Sequence, residues 1–301
     1  MNIAIYSRHI EQRDIAPLQQ LVDSLHSHRQ QIWMPENFMK SLDGAISFAT
    51  PPRLYSESGT LPSEVAFRLS IGGDGTLLSS VHLTAGNGQP VLGINFGHLG
   101  FLTAASKDDV STLVADLIDG NYSVENRSLL QVGCGGTVAH ALNEVTLHRG
   151  ERSSLLSCAL YVEDDYVATY VADGLIVATP TGSTAYSLSC GGPILTPDSN
   201  CFVVTPIGAH TLTLRPIIVP DNARLRLVTV PAAHHTDPNV HLSALDSQFT
   251  LGMDSRRVTL SGSTTLSLCR ADFAINLIRL NTQNFFSAIR DKLMWGTEVR
   301  P

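Results

Sequence analysis

The chain has 301 residues, 43% hydrophobic and 16% charged, with a formal net charge of −7. At roughly 100 to 200 residues per domain this predicts two folded domains, and it excludes both a small stapled scaffold and a long disordered chain. The acidic balance excludes a general nucleic-acid binder, which needs a cationic face. No apolar run reaches the roughly 20 residues of a membrane span and no signal-peptide pattern opens the chain, so a cytoplasmic protein without membrane or nucleic-acid partners is expected.

Taken in order, the first third alternates strand and helix signals. NIAIYS is followed by an amphipathic stretch from Ile15 to His28, then by AFRLSI (Ala66 to Ile71) and VLGIN (Val91 to Asn95). This βαβ rhythm predicts an α/β, Rossmann-like domain with a parallel sheet. Helical spacing recurs over Thr76 to Thr84 and over Asp108 to Ile118, while Glu36 to Pro62 is unpatterned and reads as a long surface loop. From about Glu125 short Val/Leu/Thr runs separated by Gly, Pro, Asp and Asn predict an all-β, sandwich-like second domain. Hairpin turns are expected at Asp164-Asp165 and at Met253 to Ser255. After Leu280, Phe285, Ile289 and Leu293 predict a helix stopped at Gly296. The expected domains are 1–124, joined by a returning tail of 281–301, and 125–280. Cys134, Cys158, Cys190, Cys201 and Cys269 are scattered without a CxxC pair, which predicts reduced thiols.

The most informative string is IGGDGT, Ile71 to Thr76, between an apolar strand and a helix start. Gly72, Gly73 and Gly75 let backbone amides approach an anion, and the helix N-terminus adds unpaired N–H groups. It is neither a Walker A loop nor a GxGxxG fingerprint. Asp74 is a carboxylate planted where phosphates would repel it. Either it works with a cation or a hydroxyl proton, which points to phosphoryl transfer, or it caps its helix. Asn143-Glu144 interrupts the apolar run VAHALNEVTL and is either a strand end or a hydrogen-bonding pair for a ligand. In DGLIVATPTGSTAYSLSCGGPIL (Asp173 to Leu195), hydroxyls surround Tyr186. That loop suits a nucleoside, with Tyr186 stacked on a base and Thr184, Ser187 and Ser189 on its edge or ribose; it equally describes a polar helix cap with a packed tyrosine. HHTDPNVH, with His234, His235, Asp237 and His241, reads as a solvated turn-rich segment rather than a metal cluster.

Together, GGDGT (Gly72 to Thr76), GINFGHLGFL (Gly93 to Leu102), Asn143-Glu144, the Asp173 to Leu195 segment, PIGAHTLTLRPIIVP (Pro206 to Pro220), DSQ (Asp246 to Gln248) and the terminal FF...IRDKLMWG resemble the NAD kinase family, in the same order over residues 66–296. The resemblance implies transfer of the γ-phosphoryl group of ATP to the 2′-hydroxyl of the adenosine ribose of NAD, giving NADP, with a divalent metal, usually magnesium. It implies Asp74 as proton acceptor, Gly72, Gly73, Gly75 and Thr76 as the phosphate-facing turn, and Asn143 and Glu144 as a dinucleotide-binding pair. It further implies NAD contacts at Asp74 and Gly75, at Asp173, at Thr184, Ala185, Tyr186, Ser187, Leu188 and Ser189, and at Gln248; it assigns no metal ligands. A homodimer or homotetramer is implied as well. The chain departs from the pattern at Val171, where many members carry a basic residue, and at Ser79, where some carry Arg; Arg149 and Arg152 are candidate substitutes. The competing readings are another GGDGT-type kinase of lipids or sugars, and a nucleotide sensor without turnover.

Overall fold

The computed structural model describes residues 1–57, 60–81, 87–97, 100–150, 155–229, 248–280 and 284–296. The chain divides into two compact units, one of Met1–Asn126 with Phe273–Pro301, the other of Arg127–Asp272. The tail thus joins the first unit at Phe273, within a strand.

In the first unit, β1 (Asn2–Tyr6), β2 (Gln31–Pro35), β3 (Arg53–Tyr55), β4 (Val65–Ile71) and β5 (Val91–Asn95) are all paired in parallel, in the order β5-β4-β1-β2-β3; on its other side β5 pairs with β6 (Thr103–Ser106) and, at Val91, with Leu277 of the last strand. Parallel strands are covered on both faces, so β1, β4 and β5 are buried almost throughout, with alternate residues facing opposite sides of the sheet. Ile3, Ile5, Phe67, Leu69, Ile71, Leu92 and Ile94 meet α1 (Ile15–Ser27) and α4 (Val110–Asp119) in one core. These helices bury Leu18, Leu21, Val22 and Leu25, and Val110, Leu113, Val114 and Leu117, the spacing that puts four side chains on one face. The region from Glu36 to Pro62 is not wholly loop: it holds α2 (Glu36–Ser41) and the edge strand β3. Short elements such as these are stabilised by packing on β2 rather than by a readable period, with Phe38 buried in the core. The predicted helix at Thr76 begins two residues earlier, as α3 (Asp74–Ser80), and residues 82–84 lie outside the described set.

The second unit begins within β7 (Tyr122–Cys134), at Arg127, and β7 forms a hairpin with β8 (Thr137–Ala141). A six-stranded antiparallel sheet follows the order β14-β13-β12-β9-β16-β17, built from β9 (Glu144–Arg149), β12 (Gly174–Ala178), β13 (Cys201–Ile207), β14 (Ile217–Pro220), β16 (Gln248–Met253) and β17 (Arg256–Ser261). Beside these, β10 (Leu156–Val162) pairs with β11 (Asp165–Ala172) and with β15 (Leu225–Thr229), which pairs in turn with β18 (Thr265–Leu280). Alternate residues of both groups, among them Leu147, Leu160, Val177, Val204, Leu227, Leu251 and Leu268, share one core. The β10–β11 turn is Glu163-Asp164, one residue before the expected place, because Val162 pairs with Asp165 and Glu163 takes the positive φ of 54°. The β16–β17 turn is Asp254-Ser255, within the expected segment. The last helix, α6 (Phe285–Leu293), is capped by Asn284, whose Oδ1 accepts from Ser287 N at 2.7 Å. It ends at Met294, in the left-handed region at φ 55°, two residues before Gly296. The five cysteines are free.

Candidate active site

In the first unit, β4 delivers the chain into the glycine turn. Gly72 has φ +135°, and its N–H donates to Ile94 O at 2.9 Å. A Cβ at that position would lie 2.5 Å from Thr76 Oγ1, so both conformation and space demand glycine. Gly73 and Gly75 are exposed, with amides open to an anion at the start of α3. Arg8, at the end of β1, brings Nη2 to 3.5 Å from where a Gly75 Cβ would stand, a cation at the turn that no local motif announces.

Asp74 makes no side-chain cap on its own helix. Its carboxylate instead accepts from three successive amides far along the chain, Phe101 N on Oδ2 at 2.7 Å and Leu102 N and Thr103 N on Oδ1 at 3.1 Å each. A Cβ on Gly100 would collide with this carboxylate, which explains a glycine directly before Phe101. The segment is braced from behind: Arg279 Nη2 donates to Phe101 O at 3.1 Å, while Arg279 Nε meets Glu125 Oε2 at 3.1 Å. Lys292 Nζ lies 4.0 Å from the centre of the Phe101 ring. Burial pulls its pKa down to about 8, against the favourable charge of Asp74 and with the repulsion of Arg279. Ser79, in the place of a possible phosphate partner, turns its hydroxyl back to Gly75 O at 2.6 Å.

In the second unit a matching device appears. Asp254, in the β16–β17 turn, accepts from Leu142 N and Asn143 N at 2.8 Å each and from Glu144 N at 3.3 Å. The predicted run from Val138 to Leu147 is therefore two strands, broken at Leu142-Asn143 where this carboxylate holds the backbone. The loop after β12 packs on the same break: Thr179 Oγ1 donates to Leu142 O at 2.6 Å, Thr179 N donates to Asn143 O at 2.9 Å, and a Cβ on Gly182 would run into the Asn143 backbone. Tertiary packing thus joins Asn143-Glu144 to the TGSTAYS loop.

Along β9, Glu144, Thr146 and His148 share the face opposite the core residues Val145 and Leu147. The Tyr186 ring stacks on His148, with centroids 5.9 Å apart and an interplanar angle of 18°. The Tyr186 backbone N–H donates to Glu144. At the far end, Asp173 pairs with Arg149 at 2.8 Å, and its charge is felt by His148 and Tyr186, as is that of Arg257. Arg149 thus brings a cation to the acidic residue beside which Val171 offers none. Because Ala178 pairs with Glu144 and Gly174 with His148, the polar strip from Glu144 to Asp173 runs the length of β9, roughly 14 Å at about 3.4 Å per residue.

The remaining expected contacts divide. Ala185 and Leu188 are half-buried and Ser189 is exposed around Tyr186. Thr184 Oγ1 donates to Thr181 O at 3.2 Å. Ser187 is fully buried and its hydroxyl is paired with Thr205 Oγ1 at 2.9 Å, so it braces the loop rather than facing outward. Gln248 stands beside Gly150, at the Arg149 end of β9 and away from Glu144. Arg152 and the stretch His234 to His241 lie outside the described residues. His148, Thr146 and Arg257 went unread in the sequence, although the alternation of EVTLHR already places the first two beside Glu144.

Glu144 carries the strongest electrostatic signature of the strip. Burial, then the neighbouring Asp254 charge, push its carboxyl up to about 7, and its Oε2 is buried with no hydrogen-bond partner. An unfolded glutamate ionises near 4.5, so between about 4.5 and 7 the folded state holds the extra proton. Stability is therefore fully present below 4.5 and is lost as pH rises through 7, by at most about 3 kcal/mol. Glu144→Gln is expected to remove most of this slope and to be the more stable form at pH 8, as read from urea unfolding midpoints between pH 4.5 and 8. A parallel slope in both proteins would show that Glu144 ionises normally.

Both halves of the chain match known sequence families. Residues 18–122 match the family described as ATP-NAD kinase N-terminal domain and residues 142–270 the ATP-NAD kinase C-terminal domain. The chain belongs to the NAD kinase family. It is 36% identical to the NAD kinase of Porphyromonas gingivalis over 99% of both chains, and 32% identical to that of Flavobacterium psychrophilum over the full length of both. Among solved structures it resembles yeast NADH kinase complexed with NADH (TM-score 0.84, 22% identity, covering 100% of this chain and 89% of that one). It also resembles an NAD kinase from Archaeoglobus fulgidus in complex with ATP (TM-score 0.72, 21% identity, covering 98% and 99%). At those identities the structural likeness bears on the fold: an NAD kinase architecture of an α/β domain with a parallel sheet, an all-β domain and a C-terminal helix.

Proposed function

We propose that this protein is an NAD kinase that transfers the γ-phosphoryl group of ATP to the 2′-hydroxyl of the adenosine ribose of NAD, yielding NADP. The observation that carries this reading beyond family membership is Asp74, a carboxylate at a glycine turn that is held by three backbone amides instead of capping its helix. A fixed carboxylate with one donor on Oδ2 retains a lone pair there for the proton of an attacking hydroxyl. The open amides of Gly73 and Gly75, with Arg8, suit the phosphates, and most of the acceleration is expected from alignment.

In the second unit, Glu144 Oε2 is a buried acceptor awaiting a hydroxyl or amino donor, as a nucleoside supplies. Asn143, Thr184, Ala185, Leu188 and Ser189 join it at one end, Tyr186 offers an aromatic face, and Asp173 and Gln248 lie towards the other end. The length of the strip suits a dinucleotide. Ser187 we assign to bracing this site.

Among the described residues no three His, Cys, Asp or Glu side chains gather as a metal cage. A divalent cation, usually magnesium in this family, would bind mainly through the substrate's phosphates and neutralise their charge at the turn, with its protein ligands left unassigned. No helix among the described residues is long and apolar enough to cross a membrane. A cytoplasmic homodimer or homotetramer completes the reading, which rests on the family resemblance.

The test is NADP formation by the purified protein with magnesium, ATP and either NAD or NADH, detected with an NADP-specific dehydrogenase after the NADH product is oxidised. Production from NAD is expected, and the ratio of the two rates reports what Val171 and Arg149 do to redox preference. Absence of product from both, with an NAD-dependent rise in Tm intact, would leave a nucleotide sensor.

A further inference from the structure

The parallel sheet of the first unit has a second face. Alternation sends Ile3, Ile5, Phe67 and Leu69 towards α1 and α4, so Ala4 of β1 and Arg68 and Ser70 of β4 point to the other side. There Ala4 packs with Trp33, Tyr55, Leu61 and Val65 in a small cluster of its own. Ala4 is in register with Trp33 on one side and with Arg68 on the other, so a single methyl group separates these two long side chains.

Arg68 is fully buried in this setting, and its Nε, Nη1 and Nη2 all lack a hydrogen-bond partner. Burial lowers its pKa to about 10, which leaves the guanidinium charged at neutral pH. The groups that act on it are the phenols of Tyr55 and Tyr6, and burial raises both their pKa values, so neither supplies a negative charge. Among the described residues no carboxylate is paired with Arg68; Glu57, half-buried, acts on the two tyrosines instead. Three further donors on this side of the sheet, Tyr55 Oη, Ser70 Oγ and Trp33 Nε1, are also buried without a partner. Gln89 Oε1 is a buried acceptor without one, but its amide is fixed at the opening of β4, where Nε2 donates to Pro62 O and Val65 O.

A buried cation left without a counter-charge is strongly destabilising, and buried donors are almost always satisfied. A set of donors around one positive charge calls for an acceptor that is negative. Arg68, Ser70, Tyr55 and Trp33 are each less than a tenth exposed, so the occupant must be small and must shed its water. Phosphate and sulfate fail on that ground, since one guanidinium does not neutralise their charge. A monatomic, monovalent anion can accept from guanidinium, hydroxyls and indole at once.

We propose that Arg68, with Tyr55, Ser70 and Trp33, forms a buried site for one monovalent inorganic anion, chloride by its size and charge. The bound ion ties β4 to β2 and β3 just before the chain enters the glycine turn.

The test is the melting of the full chain at fixed pH and ionic strength as sodium chloride replaces sodium gluconate, whose anion is too large and too hydrated to enter. Tm is expected to rise by about 3 °C or more and to level off as a single site fills. Arg68→Met should lose this dependence and melt in gluconate at or above the parent, because it removes the uncompensated charge and keeps an unbranched side chain. If that variant does not fold, the parent protein decides: in crystals grown with bromide, the anomalous signal should stand beside the Arg68 guanidinium. Glu57→Gln is expected to melt as the parent does in both salts. Equal melting of the parent in the two salts, a chloride effect that persists in Arg68→Met, or bromide bound only elsewhere would each overturn the proposal. So would a Glu57→Gln protein that is weakened in gluconate and rescued by chloride, since Glu57 would then be the native counter-ion.

Discussion

Asp74→Asn is expected to lower NADP formation by roughly 10²- to 10⁴-fold, the range that a positioned general base contributes. The change removes the charge and the proton-accepting lone pair while keeping the side chain's size. It is not silent for the fold. Both carboxylate oxygens accept from backbone amides, so the new NH2 group faces a donor in either orientation and at least one hydrogen bond is lost. One unsatisfied amide costs about 1–3 kcal/mol, and a fall of several degrees in Tm should accompany the loss of rate. The residues assigned to the NAD strip lie in the second unit, so NAD should still raise the variant's Tm by nearly the parental amount. The decisive comparison is kcat against that shift. A variant that keeps more than about a third of the parental kcat would reduce Asp74 to a clamp for residues 101–103, and a vanished NAD shift would place its main role in binding.

Asp254→Ala is expected to be the most damaging single change in the second unit. It orphans three amides at once, those of Leu142, Asn143 and Glu144, at a buried break between β8 and β9. With about 1–3 kcal/mol for each unsatisfied donor that water does not reach, a loss of roughly 3–5 kcal/mol follows, large beside the 5–15 kcal/mol stability of a typical domain. The same break carries Asn143 and Glu144, so KM for NAD should rise at least tenfold even below the temperature at which the protein melts. Asp254→Asn, which keeps an acceptor for one side of the break, should recover part of both. Melting within a degree of the parent, with KM unchanged, would show that the three amides find other partners. Burial raises the Asp254 pKa against the pull of the three amides, so stability linked to this carboxyl is lost as pH rises through that raised value.

The two carboxylates show how far the chain could be read in advance. Local pattern placed β4, α3 and the glycine turn, because alternation, helical spacing and positive-φ glycines are decided within a few residues. The motif order also sufficed to name the family. Asp254 was legible only as a hairpin turn, for its partners lie more than a hundred residues away. Arg8, Arg279 and Lys292 were silent for the same reason: a lone cation in sequence does not say which turn it faces. Ser187 was read outward as one hydroxyl among several, but the inward direction of α5 (Tyr186–Ser189) sends it to Thr205. The stretch from Glu36 to Pro62 hid α2 and β3, elements too short to show a period.

By itself, then, the sequence determined the two-domain plan, the glycine turn and the residue types available for phosphoryl transfer, all of which depend on neighbours in the chain. Only the tertiary structure decided that Asp74 reaches forward to the amides of 101–103, that Asp254 holds Asn143 and Glu144, and that Arg149 meets Asp173. A hydrogen bond between distant segments is specified by the packing that brings them together, and that packing comes from the whole core rather than from either segment's own residues.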